Sequence, residues 1–281
     1  MAASGVRPWS LSRWFGNRAR ITIESAALAL ALTPFVLPLP TQAAPADFGV
    51  VLLHGKWGGP MQMQALARDL DARGYWAVVP EAAWSGRRLY DKDYPAALRE
   101  IQSHADALRK KGARIIIIAG QSMGANAAVA FAASGFELSG LALLAPGHFP
   151  EFGAGGPSVR ASQEKARSMT VSGHEDEIDT FTDFNQGKFR DLRMKASVYW
   201  SYFNPEGLGA LTRNLSLLQR PLPMLLVMGM QDPLYPRSRA IFEGAPAHPH
   251  SSYAAIDTDH LGMPERATAE LVRWLEAMDT R

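Results

Sequence analysis

The sequence predicts an α/β fold, a three-layer sandwich in which a mainly parallel six-stranded sheet carries helices on both faces. Two observations support this prediction. Short apolar runs, typical of strands buried on both faces, alternate along the chain with segments of helical periodicity. One run, the four isoleucines at 115–118, leads through a glycine-flanked serine into a helix of small residues. With 281 residues, of which 47% are hydrophobic, the chain can bury the core that one such domain needs.

Six apolar runs are interpreted as the strands of this sheet. In chain order they are Val50–Leu53, Ala77–Val79, Ile115–Ile118, Leu141–Leu144, Met224–Met228 and Tyr253–Ile256. Amphipathic helices follow the first, second and last strands, because apolar residues recur there at helical spacing. Their apolar faces contain Met63, Leu66, Ala67 and Leu70; Leu98, Ile101, Ala105 and Leu108; and Ala267, Leu271, Trp274, Leu275 and Met278. Gly74 and Gly112 lie just past the first two helices, where glycine commonly ends a helix.

Residues from about 147 to 220 interrupt the alternation of strands and helices. The segment is too long for a simple connection, so it is predicted to form a helical cap over the strand ends. It contains an aromatic cluster (Tyr199, Trp200, Tyr202 and Phe203) and leucines at helical spacing (Leu208, Leu211, Leu215 and Leu218). The aromatic residues fit a small core within the cap and contacts to a substrate equally well.

Residues 1–43 are predicted to be a signal peptide or N-terminal leader. Four arginines precede a mostly apolar run at 25–39, and small residues suited to cleavage follow, which leaves a mature domain at 44–281. Two prolines interrupt the apolar run, which makes it too short and broken for a comfortable membrane span. No stable membrane span is expected after removal of the leader. We therefore expect an exported protein, periplasmic or secreted, with an uncleaved anchor and a disordered leader as the alternatives.

The charge balance argues against nucleic acid as a partner. The net charge is +2, and the four arginines and single glutamate of residues 1–43 account for all of the excess. A nucleic-acid-binding domain carries a basic patch, for which the remainder of the chain has no surplus of positive charge.

The chain has no cysteine, which excludes disulfides and a thiol nucleophile. The oligomeric state stays open at this point.

The sequence G-Q-S-M-G at 120–124 matches the G-x-S-x-G pattern of a nucleophile elbow, a sharp turn between a strand and a helix. A serine on such a turn has a strained backbone, and side chains two positions away would collide. Gly120 and Gly124 remove that collision. The turn places Ser122 at the N-terminus of the following helix, where free N–H groups favour developing negative charge.

A serine hydroxyl needs a base to act as a nucleophile, and the base needs an orienting acid. His260 follows the last predicted strand and lies at the same edge of the sheet as Ser122, so it is the candidate base. Asp232 follows the fifth strand and is the candidate acid. Asp257 and Asp259 compete with it, but a residue close in sequence rarely directs its carboxylate back at the imidazole, whereas a neighbouring strand end can.

Two N–H groups are candidates for binding an oxyanion: that of Met123, directly after the serine, and that of Lys56, in the glycine-rich loop 54–59. Such a loop could also bind phosphate, but neither G-x-G-x-x-G nor a Walker pattern is present, so no nucleotide cofactor is expected. No metal site is expected either. Trp57 and Trp84 lie on loops after strands and are predicted to contact the substrate.

These motifs occur together as His54-Gly55, the elbow, Gly229-x-x-Asp232-x-x-x-Pro236 and Asp259-His260, a combination that resembles the α/β-hydrolase superfamily. Within it the chain is similar to small bacterial serine esterases and dienelactone-hydrolase-like proteins. The resemblance implies a Ser-His-Asp triad, a covalent acyl-enzyme and no cofactor. Gln121 departs from it, because many relatives have histidine there. The two strands that usually precede the His-Gly strand are missing, so the sheet should have six strands in the order 2-1-3-4-5-6.

The expected function is therefore that of an exported serine hydrolase that cleaves carboxylic esters of small molecules. Two alternatives remain. The same triad could cleave amide or peptide bonds, or the protein could be a non-catalytic binding protein with a vestigial site, since a fold does not fix a function.

Overall fold

The computed structural model describes residues 44–278, and the predicted leader at 1–43 lies outside this range. The described strands are β1 (Phe48–Leu53), β2 (Trp76–Val78), β3 (Ile115–Ser122), β4 (Gly140–Pro146), β5 (Ile178–Asn185), β6 (Lys188–Lys195), β7 (Met224–Gly229) and β8 (Ser252–Ile256). The helices are α1 (Gln64–Ala72), α2 (Tyr94–Lys111), α3 (Met123–Ala133), α4 (Gly156–Val171), α5 (Ala196–Phe203), α6 (Leu211–Ser216), α7 (Tyr235–Glu243), α8 (Met263–Arg266) and α9 (Thr268–Met278). Short 3-10 helices cover Pro45–Asp47, Pro60–Met63 and Pro150–Phe152.

Six parallel strands form one sheet in the spatial order β2-β1-β3-β4-β7-β8. The predicted fold class and strand order are therefore confirmed. The direction of the strand order reverses at β1, and right-handed crossovers on either side of a reversal place their helices on opposite faces. Accordingly α1 packs with α8 and α9, whereas α2 packs with α3.

Strand β3 forms the centre of the sheet. Its residues Ile116 to Ile118 are buried between β1 and β4, as expected for a strand covered by helices on both faces. Helix α3, which follows it, is rich in alanine and buried along most of its length, so it can lie close to the sheet. The central strand and this helix together hold the turn at Ser122 in place.

The predicted helical cap is the segment between β4 and β7, and it contains more than helices. It contains helices α4, α5 and α6 and, between α4 and α5, an antiparallel hairpin of β5 and β6 that the sequence analysis missed. The hairpin turns at Gln186 and Gly187, both with positive φ (50° and 76°), as a two-residue hairpin turn requires. Phe181 and Asp183 are the buried residues of β5, but its apolar residues recur at every third position, so the sequence lacks the alternation that would indicate a half-buried strand.

The carboxyl ends of the parallel strands meet at one edge of the sheet. There Leu53 pairs with Gly120, Ser122 with Pro146, and Gly229 with Ile256. The loops that leave this edge contain all the candidate catalytic residues named above. Among residues 44–278, no helix has the length and apolar character needed to cross a membrane.

We predict that Gly124→Ala destabilises the protein strongly. A Cβ at residue 124 would lie 2.3 Å from the carbonyl oxygen of Leu53, so α3 would have to move away from β1. Overpacking of this kind costs about 3 kcal/mol. The free energy of unfolding in urea measures the effect, and Gly59→Ala is the matched control. Gly59 has extended backbone and open space around its Cα, so its replacement should change stability by less than about 1 kcal/mol. Equal stability of the two variants would contradict the prediction.

Candidate active site

Ser122 lies on the turn between β3 and α3 with φ 55° and ψ −115°, a conformation that non-glycine residues rarely adopt. The residues two positions before and after it must be glycine. A Cβ at Gly120 would lie 2.2 Å from the carbonyl carbon of Gly124, and one at Gly124 would contact β1. The turn is therefore possible only with glycine at both positions, and it directs the Ser122 side chain toward the strand-end loops.

His260 and Asp232 form a direct hydrogen bond. The Nδ1–H of His260 donates to Oδ2 of Asp232 at 2.5 Å, and both side chains are buried. The other carboxylate oxygen, Oδ1, accepts from the N–H of Leu234 at 2.8 Å. Because Nδ1 carries the proton, Nε2 of His260 has a free lone pair with which it can accept a proton.

Ser122, His260 and Asp232 line the same cavity, whose volume is about 580 Å³. The position of Gly147 shows how close the first two lie. A Cβ at this glycine would lie 2.6 Å from Oγ of Ser122 and 3.5 Å from Cε1 of His260. The hydroxyl and the imidazole therefore face the same small volume, from which a side chain at residue 147 would exclude a substrate. The sequence analysis missed this glycine, which has no motif of its own.

The competing carboxylates have other partners. Asp257 accepts a hydrogen bond from Nε2 of Gln231 at 2.8 Å, and Asp259 accepts from the N–H of Gly262 at 2.8 Å. Gln121, which replaces the histidine of many relatives, is buried and donates through Nε2 to the carbonyl of His260 at 3.0 Å. It therefore holds the loop that carries the imidazole.

The loop 54–59 borders the cavity at Lys56, and Met123 is the first residue of α3. The first N–H groups of a helix have no acceptor within that helix, so the N–H of Met123 can serve a ligand. The side chain of His54 fixes the start of this loop through two hydrogen bonds. Its Nδ1–H donates to the carbonyl of Gly55 at 2.8 Å, and its Nε2 accepts from the N–H of Ala82 at 3.1 Å.

The structure places the side chain of Trp84 away from the cavity, so it gives no support to the predicted substrate contact. The side chain is fully buried and borders none of the cavity described here. Its indole N–H donates instead to the carbonyl of His54 at 2.9 Å, so Trp84 supports the loop 54–59. Trp57 also lies outside the cavity lining. Its indole N–H donates to Oδ2 of Asp183 at 2.9 Å, and the guanidinium of Arg190 lies 5.1 Å from its ring centroid. A strand-end loop indicates proximity to the site but not the direction of each side chain.

Most of the cavity wall comes from the cap and is apolar. The apolar lining includes Phe149, Pro150, Phe152, Val159, Phe184, Phe203 and Leu234. Of the aromatic cluster left open between two roles, Phe203 lines the cavity, while Tyr199 and Tyr202 are buried in the cap. The charged groups at the wall are of both signs, Lys56 and Arg237 against Asp183 and Asp232.

Two buried histidines near the site are held neutral. Burial lowers the pKa of His54, whose two ring nitrogens already serve one donor and one acceptor. Burial also lowers the pKa of His148, and the nearby ammonium of Lys56 lowers it further. The Nε2–H of His148 donates to the carbonyl of Tyr202 at 2.9 Å, which ties the start of the cap to helix α5.

Within the part of the chain that the structure describes, no group of three or more histidine, aspartate or glutamate side chains could hold a metal ion. The groups that the chain itself places at the site are a hydroxyl on a strained turn, an imidazole oriented by a carboxylate, and backbone N–H groups beside them.

The fold and the site define a class, the three-layer α/β proteins in which hydroxyl, imidazole and carboxylate meet at the carboxyl edge of the sheet. Residues 50–274 match the sequence profile described as the alpha/beta hydrolase family, and the chain belongs to this family. No curated protein matches the chain in sequence. The finer resemblance to dienelactone-hydrolase-like proteins stays a prediction.

Solved structures agree in fold. One of the metagenome-derived lipolytic enzymes LipS and LipT is 14% identical, with a TM-score of 0.59 over 86% of this chain and 98% of its own. The monoacylglycerol lipase of Paleococcus ferrophilus is 16% identical, with a TM-score of 0.59 over 84% and 96%. A putative hydrolase from Agrobacterium vitis S4 is 19% identical, with a TM-score of 0.54 over 83% and 90%. At these identities the similarity establishes the fold.

We predict that the protein loses stability as the pH falls below 6.5. The pKa values of His54 and His148 are lower in the folded state than the 6.5 of the free side chain. Below pH 6.5 the unfolded chain therefore binds more protons than the folded one, and stability decreases by up to about 1.4 kcal/mol per pH unit for each histidine. Urea unfolding at pH 7.5, 6.5 and 5.5 measures the slope. His54→Gln should reduce it, and a slope that is flat in the wild type would contradict the prediction.

Proposed function

We propose that the protein is a serine hydrolase that cleaves carboxylic esters through an acyl-enzyme intermediate. The observation that carries this proposal is the 2.5 Å hydrogen bond from His260 to Asp232, next to a serine whose strained turn faces the same cavity. An imidazole with Nδ1 held by a carboxylate has the tautomer that a general base for serine needs.

In the proposed reaction, Oγ of Ser122 attacks the ester carbonyl while Nε2 of His260 takes the hydroxyl proton. The carbonyl π electrons move to its oxygen, and a tetrahedral intermediate forms. When the intermediate collapses, the bond to the alcohol oxygen breaks and His260 gives that oxygen its proton. Water then repeats the sequence on the acyl-enzyme, and the acid leaves. Asp232 stabilises the imidazolium that forms in each half of the reaction.

The oxyanion of each tetrahedral intermediate is proposed to accept hydrogen bonds from the N–H groups of Met123 and Lys56. Both are backbone groups, one at the N-terminus of α3 and one in a loop held by hydrogen bonds, so they need little reorganisation when charge develops. The loss of one such donor typically costs about 3–4 kcal/mol of transition-state stabilisation. The N-terminus of α3 adds a favourable dipole at the same place.

The cavity supports a neutral substrate with a bulky apolar acyl or alcohol group. Four phenylalanines from the cap and its approach line the wall, and the charges at the wall balance. The lipolytic enzymes and the monoacylglycerol lipase with the same fold agree with an ester substrate. The proposed partner is therefore a small-molecule ester, and the reaction needs no cofactor.

An amide substrate is the second candidate, since the same three side chains can cleave amides. The two activities are separated by the ratio of kcat/KM for matched ester and amide substrates with one acyl group. A binding protein with a vestigial site is the third candidate, which the fluorophosphonate experiment below tests.

Export to the periplasm or the medium is also proposed, and it rests on the composition of residues 1–43. Fractionation of cells that express the full chain tests it.

We predict that a fluorophosphonate probe labels the wild-type protein and not Ser122→Ala. The probe reacts with a serine activated by a base, whereas exposed serines such as Ser172 should not react. Labelling is measured by mass spectrometry, together with hydrolysis of activated esters of increasing acyl length. Ser122→Ala should reduce kcat by about 10⁴ or more. A folded wild-type protein that neither reacts nor hydrolyses any of the esters would favour the binding protein.

Removal of the acid tests its identity. Asp232→Asn should reduce kcat by about 10⁴, because an amide cannot stabilise the imidazolium and favours the wrong tautomer of His260. The matched control is Asp257→Asn, the same change on a carboxylate that contacts Gln231 and not the imidazole. This control should leave kcat within about twofold of the wild type. The reverse order of the two effects would assign the acid to residue 257. Both variants are checked for stability, so that lost activity is not mistaken for unfolding.

A further inference from the structure

Asp183, on strand β5 of the cap, is a buried carboxylate that plays no part in the proposed reaction. Its side chain is fully buried and accepts hydrogen bonds from three side chains: Nζ of Lys56 at 2.7 Å, the indole N–H of Trp57 at 2.9 Å and the hydroxyl of Tyr90 at 2.7 Å. The N–H of Phe184 is a fourth donor, at 2.6 Å. Two of these donors are consecutive residues of the loop 54–59, which carries the proposed oxyanion donor.

The pair of Lys56 and Asp183 is almost completely removed from water, with side-chain exposures of 5% and 0%. A buried ion pair adds little net stability, because the cost of desolvating both charges offsets most of their attraction. Its effect is instead geometric, since a carboxylate with four donors leaves few alternative positions for the groups that contact it. Burial and the charge of Asp183 also raise the pKa of Tyr90, which therefore stays protonated and donates.

The cap also holds the backbone of Lys56. Nδ2 of Asn185 donates to the carbonyl of Lys56 at 3.1 Å, and Nζ of Lys56 donates to the carbonyl of Phe184 at 3.1 Å. On the other side of the same peptide, the N–H of Trp57 donates to the carbonyl of Trp84 at 2.9 Å. The peptide that joins residues 56 and 57 is thus fixed at both ends.

The N–H of Lys56 belongs to the preceding peptide, whose carbonyl is that of Gly55. This carbonyl accepts from Nδ1 of His54 and from the N–H of Gly58. In a trans peptide the N–H points opposite to the carbonyl, so these bonds set the direction of the Lys56 N–H. Trp57 has φ 57°, a strained conformation that persists only while its surroundings hold it. Its indole is held by Asp183.

We propose that Asp183 is a positioning residue, through which the cap fixes the loop 54–59 so that the N–H of Lys56 is directed at the oxyanion. This inference rests on the proposed hydrolase function. Without the carboxylate, Lys56 and Trp57 lose their shared acceptor, and the strained loop relaxes. The N–H of Lys56 is then still present but no longer held in position.

The test is Asp183→Asn, which keeps the size of the side chain and removes its charge. Because the oxyanion forms only after attack, kcat for an activated ester should fall about 10- to 100-fold, less than the loss of a whole donor, while KM changes less than threefold. The affinity for a boronic acid, which forms a tetrahedral adduct with serine, should fall by a similar factor. Hydrogen exchange at residues 55–58 should become faster.

The matched control is Asp191→Asn on the neighbouring strand β6, where the carboxylate accepts from the hydroxyl of Thr182 at 2.8 Å and is exposed. It should leave kcat, boronate affinity and exchange at 55–58 unchanged. Should Asp183→Asn fail to fold because Lys56 is left as an unpaired buried charge, the double variant Lys56→Met with Asp183→Asn removes both charges. It retains the backbone N–H of residue 56 and should show the same loss of kcat.

Three results would overturn the proposal: a kcat within twofold of the wild type, a rise in KM with unchanged kcat, or unchanged exchange at residues 55–58. The wild type and Ser122→Ala are measured alongside. If wild-type turnover does not depend on Ser122, the proposed hydrolase function fails. The exchange measurement still decides whether Asp183 holds the loop.

Discussion

The structure depends on one close contact, between the N-terminus of α3 and the end of β1. Gly124 lies so near the carbonyl of Leu53 that no side chain fits between them, and Gly120 lies equally near Gly124. The chain can therefore pass from the central strand into the helix through a single strained residue, Ser122. This contact fixes the position of the helix N-terminus and of the serine relative to the sheet. The other elements of the site are arranged around that fixed point.

The base and the acid meet because the pairing of β7 with β8 continues beyond the sheet. Gly229 pairs with Ile256, and past this point the N–H of Met230 donates to the carbonyl of Ile256 and that of Gln231 to the carbonyl of Thr258. The two loops run side by side for several residues. Asp232 and His260 then emerge next to each other, although 28 positions separate them in sequence.

The sequence predicted the sheet well, because strands buried on both faces are continuous apolar runs and parallel strands end at one edge. That rule was enough to bring Ser122, Asp232 and His260 to the same edge. It was not enough for side-chain directions, which is why Trp84, buried against His54, was placed in the substrate pocket. Asp183 was missed for another reason. It lies in a mostly polar strand of the cap that has no apolar–polar alternation, and its partners Lys56 and Tyr90 are far from it in the chain.

The cap of this protein does more than line the cavity, because it also holds a loop of the active site. Strand β5 contributes Phe184 to the wall of the cavity and, one residue earlier, Asp183 to the loop 54–59. Both residues border the cavity, and the carboxylate of Asp183 also reaches the loop 54–59, so one short segment serves both tasks. The arrangement also limits how the position of β5 can change. A shift of β5 that reshapes the pocket at Phe184 must move Asp183 as well, and with it the loop that the carboxylate holds. If Asp183 positions that loop as proposed, the shape of the pocket and the rate of the reaction are physically coupled through this strand.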